Sequence, residues 1–276
     1  MAIRFRLVDV FGSAPFLGNP LAVVLDASGL TAGQMQAFAR WMNLSETTFV
    51  LPPRVAGADY RVRIFTPSGE LPFAGHPTLG TCHAWLEAGN SPARPDRIVQ
   101  ECDAGLVRVR ETEHGLAFGA PPLIQSGPLS AELRERVAAQ LGIAPDQIVA
   151  SQWADNGPGW IAALLGSADE VLALRPGFGD LAIGVAGAYP AGGPADFEVR
   201  TFFPLDGLML EDPVTGSFNA SLAQWLLDSG RVSAPYLVSQ GTVLGRSGRV
   251  HVLREQDQAI WVAGATTTAI EGTAEF

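Results

Sequence analysis

Arg63–Gly89, RIFTPSGELPFAGHPTLGTCHAWLEAG, returns half a chain later as Arg200–Gly230, RTFFPLDGLMLEDPVTGSFNASLAQWLLDSG. Both open with Arg-x-Phe-x-Pro and pass through a short Gly-bearing loop. Both then read x-Pro-x-x-Gly-(Thr/Ser) and close with an apolar, helix-like run ending at Gly. The arginines, 63 and 200, stand 137 positions apart, and the second prolines, 77 and 213, stand 136 apart, close to half of the 276 residues. The spacing reads as an internal duplication. In each copy the final run has almost no polar face: Ala84, Trp85 and Leu86 in one, and Leu222, Ala223, Trp225, Leu226 and Leu227 in the other. A helix that is apolar nearly all round has to be buried. The expected architecture is therefore α+β, with two similar domains. Each would be a curled, mainly antiparallel, barrel-like sheet around a central apolar helix, with the active-site cleft between the domains.

Working outward from the first copy, Ile3–Val10 and Leu21–Leu25 read as strands around the turn-rich stretch Phe11–Pro20. Thr31 is placed to cap a helix running to Met42, with Met35, Phe38, Ala39 and Met42 at helical spacing. Thr47–Leu51 and Tyr60–Phe65 are strands, and Pro77 suits the first turn of a helix to about Glu87, with Gly89 closing it. Ile98–Cys102, Leu106–Arg110 and Leu116–Phe118 read as a short antiparallel series, Pro121–Pro128 as a loop, and Leu129–Leu141 as an amphipathic helix. The second half then repeats the pattern: strands at Ile148–Trp153, Trp160–Leu165, Ala182–Ala186, Phe197–Phe203, Tyr236–Gln240, Arg249–Arg254 and Ala259–Ala263, and a helix at Gly216–Asp228. Asn156 falls 137 positions after Asn19, a weaker match between two Gly/Pro loops. The expected domains are 1–128 and 129–276, with 265–276 a candidate to return to the first. The loops at 68–73 and 205–210 are not fixed by periodicity.

Composition bounds the function. With 47% hydrophobic and 17% charged residues the chain has ample material for a core. A formal charge of −10 and a pI near 4.8 leave no basic face for phosphates, so nucleic acid is excluded as the expected partner. The N-terminus lacks a signal-peptide pattern and no apolar run approaches a membrane span, so the expectation is a cytoplasmic protein without a membrane partner. Cys82 and Cys102 have neither metal-type nor CxxC spacing and read as buried small hydrophobes.

The chemistry concentrates at the two repeated helix starts, where unpaired N–H groups and the helix dipole favour an anion. If the copies face each other, Phe73–Pro77 and Leu210–Pro213 form opposite walls, with His76 and Asp212 in matched positions. Taken alone, Asp212 before Pro213 also reads as a simple helix cap and His76 as a loop histidine. Glu46, in Asn43–Thr48, is a carboxylate at the mouth of a buried strand, and Glu70, Glu101 and Glu198 compete with it on local grounds.

Three motifs separate them. NLSETTF at 43–49, ELPFAGHPTLGT at 70–81 and EDPVTGS at 211–217, in this order and with Asp9-Val10-Phe11 and Gly18-Asn19-Pro20 ahead of them, resemble the phenazine biosynthesis PhzF-like isomerase family. The resemblance spans both halves. It implies the diaminopimelate-epimerase-like fold, a homodimer, and a cofactor-free isomerase that binds no metal and acts by proton transfer on a small anionic substrate. It puts the catalytic glutamate on Glu46 beside Ser45, the histidine on His76 after Gly75, the aspartate on Asp212 and a serine on Ser217 after Gly216. In the best-known phenazine enzyme the glutamate moves a ring proton of a dihydro-hydroxyanthranilate from one carbon to another. Such a carboxylate can be base and then acid if burial raises it from about 4.3 toward neutrality. Ser217 and the N–H groups near Gly75 and Gly216 would stabilise negative charge. The alternatives are an epimerase or racemase pairing Glu46 with Asp212 or His76, and a binding protein that keeps the cleft without catalysis. Related racemases carry a cysteine at each helix start. Here those slots hold Gly75-His76 and Glu211-Asp212, which disfavours cysteine chemistry, and Phe218-Asn219 stands where small residues often follow EDPxTGS.

Overall fold

The structure is a computed structural model describing residues 1–205 and 207–276. Asp206, in the expected loop 205–210, lies outside the described residues. The chain forms two compact units, one of Met1–Gly119 with Ala263–Phe276, the other of Ala120–Val262.

In the first unit the order is β1 (Ala2–Val10), β2 (Asn19–Val24), α1 (Ala32–Met42), β3 (Thr47–Leu51), β4 (Tyr60–Phe65), β5 (Glu70–Leu71), α2 (Gly75–Glu87), β6 (Ile98–Cys102), β7 (Gly105–Thr112) and β8 (Gly115–Gly119). The ladders β1–β2, β3–β4, β4–β5, β6–β7 and β7–β8 are antiparallel, while β2–β3 and β4–β6 are parallel. Parallel neighbours need a crossover, and a helix supplies each one: α1 between β2 and β3, α2 between β4 and β6. Thr31 caps α1 as expected, in a reciprocal box with Gln34, and Asn43 ends it in the left-handed conformation (φ 52°). Helix α1 packs Met35 and Ala39 with Ile3, Val24, Phe49 and Phe65.

Helix α2 is the centre of this unit. Ten of its thirteen residues are buried, and it lies against β1, β2, β3, β6, β8 and one later strand, so the sheet curls round it. Gly80 permits the approach: a Cβ there would stand 2.6 Å from Leu21 Cδ2 and 2.9 Å from Val10 Cγ2. Its buried polar groups are bonded, Thr78 Oγ1 donating to Ala74 O (2.9 Å) and Thr81 Oγ1 to Thr48 Oγ1 (2.8 Å).

The second unit holds β9 (Gln125–Pro128), α3 (Ala131–Leu141), β10 (Ala150–Asp155), β11 (Ile161–Leu164), α4 (Ala168–Ala173), β12 (Ile183–Ala188), β13 (Phe197–Leu205), β14 (Leu208–Asp212), α5 (Gly216–Asp228), β15 (Tyr236–Gln240) and β16 (Gly248–Arg254). From β10 to β16 the pairing of the first unit recurs. Ladders β10–β11, β12–β13, β13–β14 and β15–β16 are antiparallel; β11–β12 and β13–β15 are parallel, crossed over by α4 and α5. Eleven of thirteen residues of α5 are buried. Helices α3 and α4 add Val137, Leu141 and Val171, and the C-cap of α4 adds Leu174, to a core with Ile161, Ile183, Val185 and Phe202. Each unit is thus a mixed α+β body, a curled and mainly antiparallel sheet around one apolar helix. Among the described residues no helix is long and apolar enough to cross a membrane.

Several expectations shift. The division falls after Gly119 rather than at 128, because 125–128, expected as loop, is β9 and pairs antiparallel with β10 inside the second unit. After β17 (Ile260–Gly264), in which the chain passes from the second unit to the first, β18 (Thr266–Glu275) runs antiparallel along the whole of β1. The loop at 68–73 contains β5, and the described part of 205–210 belongs to the β13–β14 hairpin.

The proline match of the two copies is also out of register. Helices α2 and α5 have equal length and end at the left-handed glycines Gly89 and Gly230, so Gly75 corresponds to Gly216 and His76 to Ser217. Pro77 lies inside its helix and Pro213 before its own, since the β13–β14 hairpin is longer than β4–β5. The arginine match holds and explains itself. Arg63 forks onto Glu70 (2.6 and 2.6 Å) over the Phe65 ring, and Arg200 onto Glu211 (2.9 and 2.7 Å) over Phe202. The repeated Arg-x-Phe is a clamp that closes each hairpin onto its sheet.

Candidate active site

In the first unit three elements bring Glu46 to His76. The left-handed turn at Asn43 ends α1, and the bend through Leu44 and Ser45 delivers Glu46 to the edge of the buried strand β3. Helix α2 starts at Gly75 behind an extended Ala74 (φ −149°, ψ 143°) that offers no capping side chain, and His76 is its second residue. His76 Nε2 stands 3.4 Å from Glu46 Oε2, with His76 side-chain exposure of 3% and Glu46 of 15%. The third element is Asn19, which opens β2; it is wholly buried, and its Nδ2 lies 3.3 Å from His76 Nδ1.

The loop that presents Asn19 is held from below. The buried Asp9 carboxylate accepts from the Leu17 N–H (3.1 Å) and the Gly18 N–H (2.9 Å). Gly18 has no room for a side chain, since a Cβ would run into the Val10 carbonyl oxygen. Phe11 and Phe16 adopt φ of 66° and 70°, an uncommon conformation for bulky residues that the Asp9 contacts help to hold.

Burial governs the electrostatics here. It pushes the His76 imidazole down to about 3 in spite of the nearby carboxylate, so the ring is neutral at ordinary pH. A neutral imidazole offers one N–H and one lone pair rather than a charge. The same effect pushes the Cys82 and Cys102 thiols up to about 12 and about 11, which leaves both as buried thiols and poor nucleophiles.

In the second unit Asp212 ends β14, three residues before Thr215, the N-cap position of α5. Thr215 Oγ1 donates to Asp212 Oδ2 instead of capping the helix. Gln240, from β15, ties this corner together. Its Nε2 donates to Thr215 Oγ1 (3.0 Å) and Thr201 Oγ1 (3.1 Å), and its Oε1 accepts from Thr215 N (3.0 Å) and Asn219 Nδ2 (2.9 Å). Gln100 of β6 plays a similar part in the first unit, donating to Thr78 Oγ1 and accepting from Tyr60 OH. Ser217, second in α5 after Gly216, accepts through Oγ from Trp160 Nε1 (3.1 Å), and its carbonyl accepts from Asn156 Nδ2 (2.9 Å). Because the indole can only donate, the Ser217 hydroxyl directs its own hydrogen elsewhere.

The competing carboxylates are engaged otherwise. Glu70 belongs to the Arg63 clamp. Glu101 is held by the N–H groups of Arg54 and Val55 and by the Arg54 side chain. Glu198 accepts from Tyr189 OH (2.8 Å) and is pushed upward by burial. The duplication leaves Glu46 without a twin: Thr47 faces Phe65 and Ile183 faces the corresponding Phe202, so Ala182 occupies the place of Glu46 in the second unit. Among the described residues no group of three or more His, Cys, Asp or Glu side chains could hold a metal ion.

Asn19, Asp9, Trp160, Thr215 and Gln240 were not among the expected site residues. Asp9, Asn19 and Thr215 stood inside the family motifs, and Asn19 also in its match to Asn156, whereas Trp160 and Gln240 carried no such signal. Asn19 and Asn156 do perform related tasks, each directing an amide N–H to the second residue of its central helix.

Residues 8–272 match the PhzC-PhzF family model, described as phenazine biosynthesis-like protein. Antisense-enhancing sequence 1 of Schizosaccharomyces pombe is 36% identical, with 97% of each chain covered. Trans-2,3-dihydro-3-hydroxyanthranilate isomerase of Pseudomonas fluorescens is also 36% identical, with 98% of each covered. Among solved structures, a PhzF-family phenazine biosynthesis protein of Bacillus anthracis superposes with a TM-score of 0.82 at 23% identity over 100% of both chains.

Proposed function

The chain belongs to the phenazine biosynthesis-like PhzC-PhzF family and is an isomerase, and from that premise we propose that it moves a proton between carbons of a small carboxylate-bearing metabolite, with Glu46 accepting the proton and then returning it. The observation that carries this reading is the Glu46 carboxylate set 3.4 Å from a buried, neutral His76. A two-base racemase needs an acceptor for each face of a stereocentre. Here the duplicated fold has a carboxylate at this place in one unit and Ala182 in the other, which leaves as second acceptor Asp212, already accepting from Thr215 Oγ1, or His76, held near 3 by burial. One carboxylate suffices when a proton is taken from one carbon and one is delivered to another of a conjugated system, since the group is restored after each turnover and can exchange its proton with solvent in between. That chemistry asks for neither metal nor organic cofactor.

In this reading His76 acts through its N–H and not by titrating, because an imidazole held near 3 is too weak a base to store the proton. Ser45 and the first N–H groups of α2 at Gly75 bind polar groups of the substrate near Glu46. Within the second unit Asp212, Gly216 and Ser217 are assigned to substrate handling, with the Ser217 hydroxyl oriented as a donor by Trp160. The substrate class is a cyclic conjugated carboxylate of the kind named for the Pseudomonas fluorescens relative.

The test is to incubate the protein with trans-2,3-dihydro-3-hydroxyanthranilate and related cyclic carboxylates in D2O and follow them by NMR. Double-bond migration with at most one deuteron per turnover at the receiving carbon is expected. Inversion at a single carbon with no migration would replace this reading with an epimerase.

A further inference from the structure

We propose that Asn19 is a positioning residue that holds His76 as its Nε2–H tautomer, so that the ring presents a hydrogen, and not a lone pair, to the Glu46 carboxylate. The proposal rests on the reading of Glu46 as the base, but its geometry stands by itself. Asn19 Nδ2 and His76 Nδ1 are 3.3 Å apart, and both residues are buried. An amide nitrogen can only donate, so with the amide oriented as in the structure Nδ1 is the acceptor, and the one hydrogen of the neutral ring belongs on Nε2. That nitrogen faces Glu46 Oε2 at 3.4 Å, a long contact that shortens with little movement of either side chain.

The alternative tautomer would set the Nε2 lone pair against a carboxylate oxygen and the Nδ1 hydrogen against the amide hydrogens. Both contacts would then repel. A donor aimed at the carboxylate stabilises its charged form, the form able to take a proton from carbon. Asn19 is suited to the task because its own position is fixed. Asp9 pins the amides of Leu17 and Gly18 immediately before it, and Gly18 fills a space that admits no side chain. The residue therefore acts on the reaction through His76, as the group behind a catalytic histidine does when it selects a tautomer.

The experiment is long-range 15N–1H correlation NMR at pH 7 on the full chain labelled in histidine. Its four histidines give separable tautomer patterns, and His76 is identified by the signals missing from His76→Gln. The wild type is expected to show His76 protonated on Nε2 and bare on Nδ1. In Asn19→Asp an acceptor replaces the donor, and the hydrogen is expected to move to Nδ1. A wild-type His76 protonated on Nδ1 overturns the proposal, and that measurement needs no variant to fold. An unchanged Nε2–H pattern in Asn19→Asp also overturns it. The readout is of the imidazole itself, so it is separate from the base assignment: equal deuterium exchange by wild type and Glu46→Gln would refute Glu46 as base while leaving the tautomer result in place.

Discussion

His76 couples the site to stability through pH. In the unfolded chain an imidazole takes up its proton near 6.5, whereas in the fold burial delays this to about 3. Above 6.5 neither state is charged and the term vanishes. Below it the unfolded state binds the extra proton, so stability falls as pH drops from about 6.5 toward 3. Between pH 7 and pH 5 this single group should cost about 2 kcal/mol. In urea titrations at those two pH values, His76→Gln should lose less stability than the wild type by about that amount, and equal losses would show that His76 is not held neutral. The same residue illustrates what a sequence can and cannot disclose. His76 and Glu46 stand thirty positions apart, and neither periodicity nor local pattern connects them. Family motifs selected Glu46 from several equivalent acids, and the burial that keeps His76 neutral is a property of the assembled helix and sheet.

At the level of elements, the Arg-x-Phe repeat was legible because it is a short local motif with fixed spacing, and the structure assigns it a clamping task. The two clamps differ in burial. Arg200 and Glu211 have side chains 3% and 10% exposed, against 19% and 27% for Arg63 and Glu70, and Arg200 also donates to the carbonyls of Val171 and Leu174 at the end of α4. Removing one partner of a buried pair leaves the other charge uncompensated, which costs about 3–5 kcal/mol, while a more exposed pair contributes about 0.2–1 kcal/mol. Arg200→Met should therefore lower the unfolding free energy several-fold more than Arg63→Met, as equilibrium denaturation would show; equal effects would contradict the clamp as drawn. The register of the helix starts was less legible. Pro77 and Pro213 match as letters, but a proline can stand inside the first turn or ahead of it, and only the longer β13–β14 hairpin decides which.

For the whole molecule, the duplication in the sequence carries over to the order and direction of the strands. The return of the C-terminal segment to the first unit was expected, but its strand β18, TTTAIEGTAE, escaped, since its half-exposed residues give no clean alternation and its partner β1 lies at the far end of the chain. Strand β1 pairs with β18 from Ala2↔Glu275 to Val10↔Thr266, and α2 lies against β18 as well. Deleting 266–276 should therefore expose an edge of β1, lower the melting temperature and remove amide protection from β1; unchanged protection would mean that β18 is dispensable. In the proposed reaction one carboxylate, Glu46, takes the proton and gives it back. The most direct test is the rate of deuterium incorporation from D2O into a turned-over cyclic carboxylate, compared between wild type and Glu46→Gln at matched thermal stability. A loss of about a hundredfold or more is predicted from the removal of a general base, and exchange at the wild-type rate would contradict the account.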